Sequence, residues 1–184
     1  TVERDLFVVG GESGDGRLLS NEAWSFKYNE ERWIKHSNLP GLGTGRAYAA
    51  VAVVSTRRVV YGGQCTVNEE EARGTPCSDY LWQFDEQTGT WTRLDISTTG
   101  DSPGPRMGAT LVKGMGSTLY AFGGTKGGDR SGDWADDVAK HVYSFDLDGK
   151  RWTKLTASLN PAWPSNLPFV PRYGHAAVYD TLLK

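Results

Sequence analysis

Apolar residues in this chain recur in short alternating runs and never at the 3.6-residue spacing of an amphipathic helix, so each periodic segment predicts a strand. Three of these runs end alike: Leu6-Phe-Val-Val-Gly-Gly11, Arg58-Val-Val-Tyr-Gly-Gly63 and Thr118-Leu-Tyr-Ala-Phe-Gly-Gly124. Each is followed by an aromatic pair and then a tryptophan. Trp24 and Phe26 precede Trp33, Trp82 and Phe84 precede Trp91, and Tyr143 and Phe145 precede Trp152. The first aromatic stands nine residues before the tryptophan in all three copies. A further landmark, Gly45-Arg46, Pro105-Arg106 and Pro171-Arg172, opens an apolar run in each case. The chain is therefore an internal repeat with a period of about sixty residues.

Within one unit, residues 46–55 and 57–64 are rich in Val, Ala and Tyr and almost touch in sequence, which predicts a tight hairpin. The two glycines close its second strand, where a backbone without Cβ suits a bend at a crowded centre. Residues 80–85 place aromatics on one face of a third strand, and Glu86-Gln-Thr-Gly89 turns the chain into a fourth, 90–95. Gly and Pro interrupt every window long enough for a helix, so the expected class is all-β. The strands expected are the second to fourth of a first unit over 6–37, two full units over 46–95 and 106–156, and a lone first strand over 172–181. The first unit departs from the pattern at Lys27, where the other copies carry Asp85 and Asp146.

Four strands per unit, a double glycine after the second, an aromatic in the third and a tryptophan nine residues later resemble the kelch repeat of β-propellers, over nearly the whole chain. That resemblance implies that each unit is a blade of four antiparallel strands packed around a central axis. Arg46, Arg106 and Arg172 match the family's arginine at the start of the innermost strand, and Gly174-His175 matches the Gly-His that often follows it. The expected strands amount to three blades, whereas propellers close with roughly four to eight. An incomplete ring is expected, completed by the rest of a parent chain or by another subunit.

Composition narrows the partners. The chain has 184 residues, 38% of them hydrophobic, with seven tryptophans, and this is the make-up of a folded domain. A net charge of −2 and the lack of any basic stripe argue against nucleic acid. No apolar run approaches the twenty or so residues that cross a bilayer, so no membrane insertion is expected. The sequence opens on Thr1, an upstream segment is expected, and targeting is not legible; a cytoplasmic location is the working expectation. Cys65 and Cys77 fall in one connection. They are either two free thiols in a cytoplasmic loop or a disulfide, which would argue for a secreted or lumenal setting.

Connections between the first and second strands and between the third and fourth are short, while those between the second and third strands or between units are long. Alternation puts all the long connections on one face, where recognition usually resides on a rigid scaffold. Trp134 and Trp163 fall outside the repeat register, in two of these connections. With Arg46, Arg106 and Arg172 they form the candidate partner-binding set, since Trp and Arg dominate interface energetics. The structural alternative has the tryptophans anchoring their own loops and the arginines placed by the repeat. The three connections inside units hold nine acids and five bases, mildly favouring a basic partner. Trp33, Trp91 and Trp152 are expected between blades.

Catalytic patterns are lacking: Gly11-Glu-Ser13-Gly14 misses the nucleophile-elbow spacing, and Gly41-Leu-Gly43-Thr-Gly45 misses that of a dinucleotide loop. No cofactor is expected. One alternative is a metal-dependent protein or an enzyme using the same face: Asp133-x3-Asp137-x3-His141 is similar to the Glu-x3-Asp-x3-His iron motif of plant nitrile-specifier proteins, themselves kelch propellers, with Asp for the first Glu. The favoured expectation is a non-catalytic protein-recognition or scaffold module.

Overall fold

The computed structural model describes residues 5–14, 20–40, 45–65, 77, 79–96, 100–126, 141–156 and 172–180. Sheet one holds β1 (Asp5–Val9), β2 (Ala23–Lys27) and β3 (Arg32–Lys35), paired in that order and antiparallel. A two-stranded ladder, β4 (Arg46–Ala47) with β7 (Gln64–Cys65), extends sheet two, made of β5 (Ala50–Val54), β6 (Arg57–Tyr61), β8 (Leu81–Asp85) and β9 (Thr90–Leu94). Sheet three is the antiparallel meander β10 (Met107–Lys113), β11 (Thr118–Thr125), β12 (Val142–Asp146) and β13 (Arg151–Leu155). The described residues thus form kelch-type blades of antiparallel strands in a ring that does not close.

The spacing of the repeat becomes cross-strand pairing. Phe26 faces Trp33, Phe84 faces Trp91 and Phe145 faces Trp152, with ring centroids 5.2, 5.0 and 4.9 Å apart. Tilted aromatic pairs of this kind stabilise a sheet beyond the area they bury. Asp85 and Asp146 start the turns after their strands, each accepting the N–H two residues on, from Gln87 at 2.8 Å and Asp148 at 3.1 Å. Lys27 cannot do this. In sheet one the turn is a 3-10 segment, Tyr28–Glu30, closed by Glu31 in the left-handed region at φ 48°.

Sheets are joined by a backbone bond that links two of the sequence landmarks. The second glycine of each pair donates its N–H to the carbonyl of the arginine opening the next unit: Gly11 to Arg46 at 2.8 Å, Gly63 to Arg106 at 2.7 Å, and Gly124 to Arg172 at 2.9 Å. The first glycine passes so close that a Cβ on Gly10, Gly62 or Gly123 would overlap that same carbonyl oxygen. A second series runs along the innermost strands, from Gly108 N–H to the Tyr48 carbonyl and from Gly174 N–H to the Gly108 carbonyl, both 2.8 Å. The apolar core lies between sheets two and three, around Val59, Tyr61, Leu81, Leu119, Phe145 and Trp152.

Three expectations change. The innermost strand of sheet two is broken into β4 and β5, because Tyr48 adopts φ 54° between them. Residues 172–180 follow the path of an innermost strand and dock on sheet three, yet they form no strand, since no neighbouring second strand stands beside them among the described residues. Trp33 is 51% exposed, whereas Trp152 is 1% exposed. Trp91 packs on Phe7 of sheet one and Trp152 on Tyr61 of sheet two, each using the sheet before its own, and no described sheet stands on that side of Trp33.

Candidate functional site

The antiparallel register sorts the connections by rim. At one rim Val9 pairs with Ala23, Tyr61 with Leu81 and Phe122 with Val142, and the long connections leave from there. The opposite rim carries the short turns, such as Ser55–Thr56 and Glu86–Gly89. Trp134 and Trp163 belong to long connections and lie outside the described residues, as do Asp133 and Asp137.

Arg46 and Arg106 are placed by the repeat and turned inward, which corrects their assignment to a partner surface. Their side chains are buried, with the residues 5% and 1% exposed. Nη1 of Arg46 donates to the Gly62 carbonyl at 2.8 Å. Arg106 donates from Nη1 to the carbonyls of Gly123 at 3.1 Å and Gly124 at 3.0 Å, and from Nε to that of Pro103 at 2.9 Å. Each arginine thus clamps the glycine pair of its own unit while its carbonyl receives the glycine pair of the unit before. Burial lowers the pKa of Arg46 to about 10, which leaves it charged at neutral pH and solvated by peptide dipoles. Arg172, by contrast, is exposed.

His141 is half-buried and lines the same small gap as Arg106 and Tyr143. Among the described residues no group of three His, Cys, Asp or Glu side chains is arranged to hold a metal. Cys65 and Cys77 are joined in a disulfide, with Cα atoms 5.0 Å apart, so the free-thiol alternative does not describe the structure. Cys77 also donates its N–H to the Gly63 carbonyl at 2.6 Å, which ties the base of that connection to the glycine pair.

Two features of the long-connection rim were missed from sequence. Tyr48 occupies a position that is left-handed in all three units and is glycine in the other two, Gly108 and Gly174. The residue is 56% exposed and its hydroxyl donates to Glu12 Oε2 at 2.7 Å, which raises its pKa. The signal was present in the alignment of units, as a tyrosine two residues after the arginine where glycine is otherwise found. The other feature is an open cleft of about 490 Å³ lined by Asp79, Tyr80, Arg93, Asp95, Ile96 and Ser102 among others, drawn from three separate segments.

The chain is similar to the dynein alpha chain of the flagellar outer arm of Chlamydomonas reinhardtii, 29% identical over 96% of this chain and 4% of that protein. It is also similar to the Rho GTPase-activating protein gacHH of Dictyostelium discoideum, 29% identical over 73% of this chain and 8% of that protein. The chain therefore spans only a small part of the length of these relatives. The model of the KLHDC2/KLHL20/DRC7 Kelch-repeats domain matches residues 1–181. That match covers nearly all of a chain built from glycine pairs, inward arginines and antiparallel sheets, and the chain belongs to the kelch-repeat family of protein-interaction modules.

Proposed function

We propose that this chain is a non-catalytic recognition or scaffold module that engages a protein partner through its long-connection rim. The observation that carries this is the asymmetry of the two rims on a scaffold whose sheets are pinned by a repeated glycine–arginine bond. Long connections on a rigid frame are free to vary in sequence while their bases stay fixed. Trp134 and Trp163 are the proposed contacts, with Arg172 as the one arginine of the original set that is exposed. The ring is completed by further repeats of a longer chain or by another subunit; the small share of its relatives that the chain spans favours the former. The Cys65–Cys77 bond favours an oxidising setting over the cytoplasm, and thiol counting on the native protein tests this.

Replacing Trp134 and Trp163 with Ala is expected to abolish partner capture and leave the melting temperature unchanged. A large loss of stability with capture intact would overturn the site, because it would make both tryptophans loop anchors.

A further inference from the structure

We infer that the cleft at the long-connection rim of sheet two receives a cationic side chain, a guanidinium or an ammonium, from a basic segment of a protein partner. This rests on the reading of that rim as the partner-binding surface and names the chemistry it recognises.

The carboxylates of the cleft are under-used. Among the described residues Asp79 Oδ2 accepts only the Ser102 hydroxyl, at 3.5 Å, and Asp95 meets only Arg93, at 3.7 Å. A carboxylate offers about four lone-pair sites at contact distances near 2.8 Å, so both retain most of their accepting capacity. The cation within the cleft does not consume it. Arg93 lies over the ring of Tyr80, 4.6 Å from its centroid, and its charge is shared with that aromatic face. Ser102 is oriented by the Gly104 N–H, which donates to its oxygen at 3.1 Å, so its own proton points toward Asp79.

The cleft's shape suits a long basic side chain. Leu94 and Ile96 line it beside the acids, offering apolar surface to an aliphatic stem while the charged head meets Asp79 and Asp95. Gly100 also lines it, at φ 144°, and a Cβ there would lie 2.6 Å from the Trp152 carbonyl oxygen, so the backbone runs close against sheet three at that edge of the cleft.

The equivalent corner of sheet one is closed. Lys35 pairs across the strands with Trp24 as Arg93 does with Trp82. Lys35 lies over that tryptophan, 5.2 Å from its centroid, and is bound by Glu22, which stands where sheet two has Tyr80. An internal ion pair satisfies that corner, whereas among the described residues lining the sheet-two cleft two acids, Asp79 and Asp95, stand with one base, Arg93.

The test is fluorescence anisotropy of a labelled nona-arginine peptide with the full chain, and a polyglutamate of equal length as control. The wild type is expected to bind the basic peptide and not the acidic one. Asp79→Asn with Asp95→Asn is expected to weaken binding roughly tenfold at unchanged melting temperature, the size for two solvent-accessible ion pairs. Arg93→Gln should tighten it. Glu30→Gln, on the opposite rim, should have no effect. Wild-type binding by the double Asn variant, or equal weakening by Glu30→Gln, would overturn the assignment in favour of diffuse charge. A wild type that ignores the peptide yet loses its partner on Trp134 and Trp163 substitution would overturn the cleft alone and leave the rim standing.

Discussion

The seam between sheets one and two and the seam between sheets two and three hold equivalent places in the repeat and are pinned by the same bond, Gly11 to Arg46 in one and Gly63 to Arg106 in the other. They are filled differently. The second seam is a continuous apolar cluster in which Tyr61, Leu81, Leu119, Phe145 and Trp152 are almost fully buried. The first carries a chain of charges: Lys27 reaches both Asp5 of its own sheet and Glu86 of sheet two, at 2.8 Å from the latter, and Glu86 also binds Arg58. Phe7, stacked 5.7 Å from Phe84, and His36, 4.9 Å from the same ring, make aromatic contacts across it. The repeat dictates how backbones meet and leaves the filling of each seam free. Burial stabilises the apolar seam through transfer of surface from water, whereas buried ion pairs roughly balance Coulomb gain against desolvation and contribute direction more than energy.

The largest difference should appear on removing the tryptophans. Trp152 is 1% exposed, between Phe145 at 4.9 Å and Tyr61 at 5.3 Å, so Trp152→Ala is expected to cost about 3–5 kcal/mol. Trp91 is only partly buried and donates from Nε1 to the Ser37 carbonyl at 2.8 Å; Trp91→Ala should cost roughly half as much. Urea midpoints at constant slope measure both. Equal losses would mean that the two seams bear stability alike and that the contrast is one of composition only.

A smaller effect belongs to the charged seam. Glu86→Gln keeps the shape and removes the charge shared by Lys27 and Arg58, whose side chains are 14% and 8% exposed. The expected cost is about 1–2 kcal/mol, below that of breaking a fully buried pair because Glu86 itself is 22% exposed. In a Lys27→Met background the same substitution should cost less, by a coupling of about 1 kcal/mol. Additive losses would show that Lys27 and Glu86 do not act together and would reduce the seam to surface charges.

The seams' backbone frame was legible in sequence because it is written locally and repeatedly. The glycine pairs, the arginine and the tandem aromatics keep their spacing, and the distance from Phe84 to Trp91 is that of partners across one hairpin. What fills the seams was not legible. Lys27 read as a departure, and its reason lies in Asp5 and Glu86, 22 and 59 residues away. The arginines were located correctly, but their spacing cannot tell a guanidinium aimed at solvent from one aimed at glycine carbonyls 16 or 17 residues on. The cleft was invisible because Asp79, Arg93 and Ser102 come from separate segments that only the sheet brings together.

The smallest effect concerns acid, and it belongs to the charged seam. His36 lies in the charged seam, its ring 4.9 Å from Phe84 and 6.1 Å from Phe7, with Nε2 2.8 Å from Ser25 Oγ. Burial lowers its pKa below the ordinary 6.5, with Lys27 and Arg58 acting in the same direction and Glu86 and Asp5 opposing. An unfolded chain therefore takes up a proton near pH 6.5 while the folded one stays neutral to lower pH, so the unfolded state binds more protons between the two values. The contribution of His36 is fully present above pH 6.5 and is lost as pH falls through its native value. Wild type should accordingly lose more stability between pH 7 and 5 than His36→Gln, in denaturant titrations at each pH. His175, beside sheet three, is shifted the same way by burial and by Arg172, so a residual slope should persist in His36→Gln and shrink further in the double variant with His175→Gln. An unchanged slope in His36→Gln would place the acid sensitivity outside the charged seam, in the His175 contact or in the carboxylates.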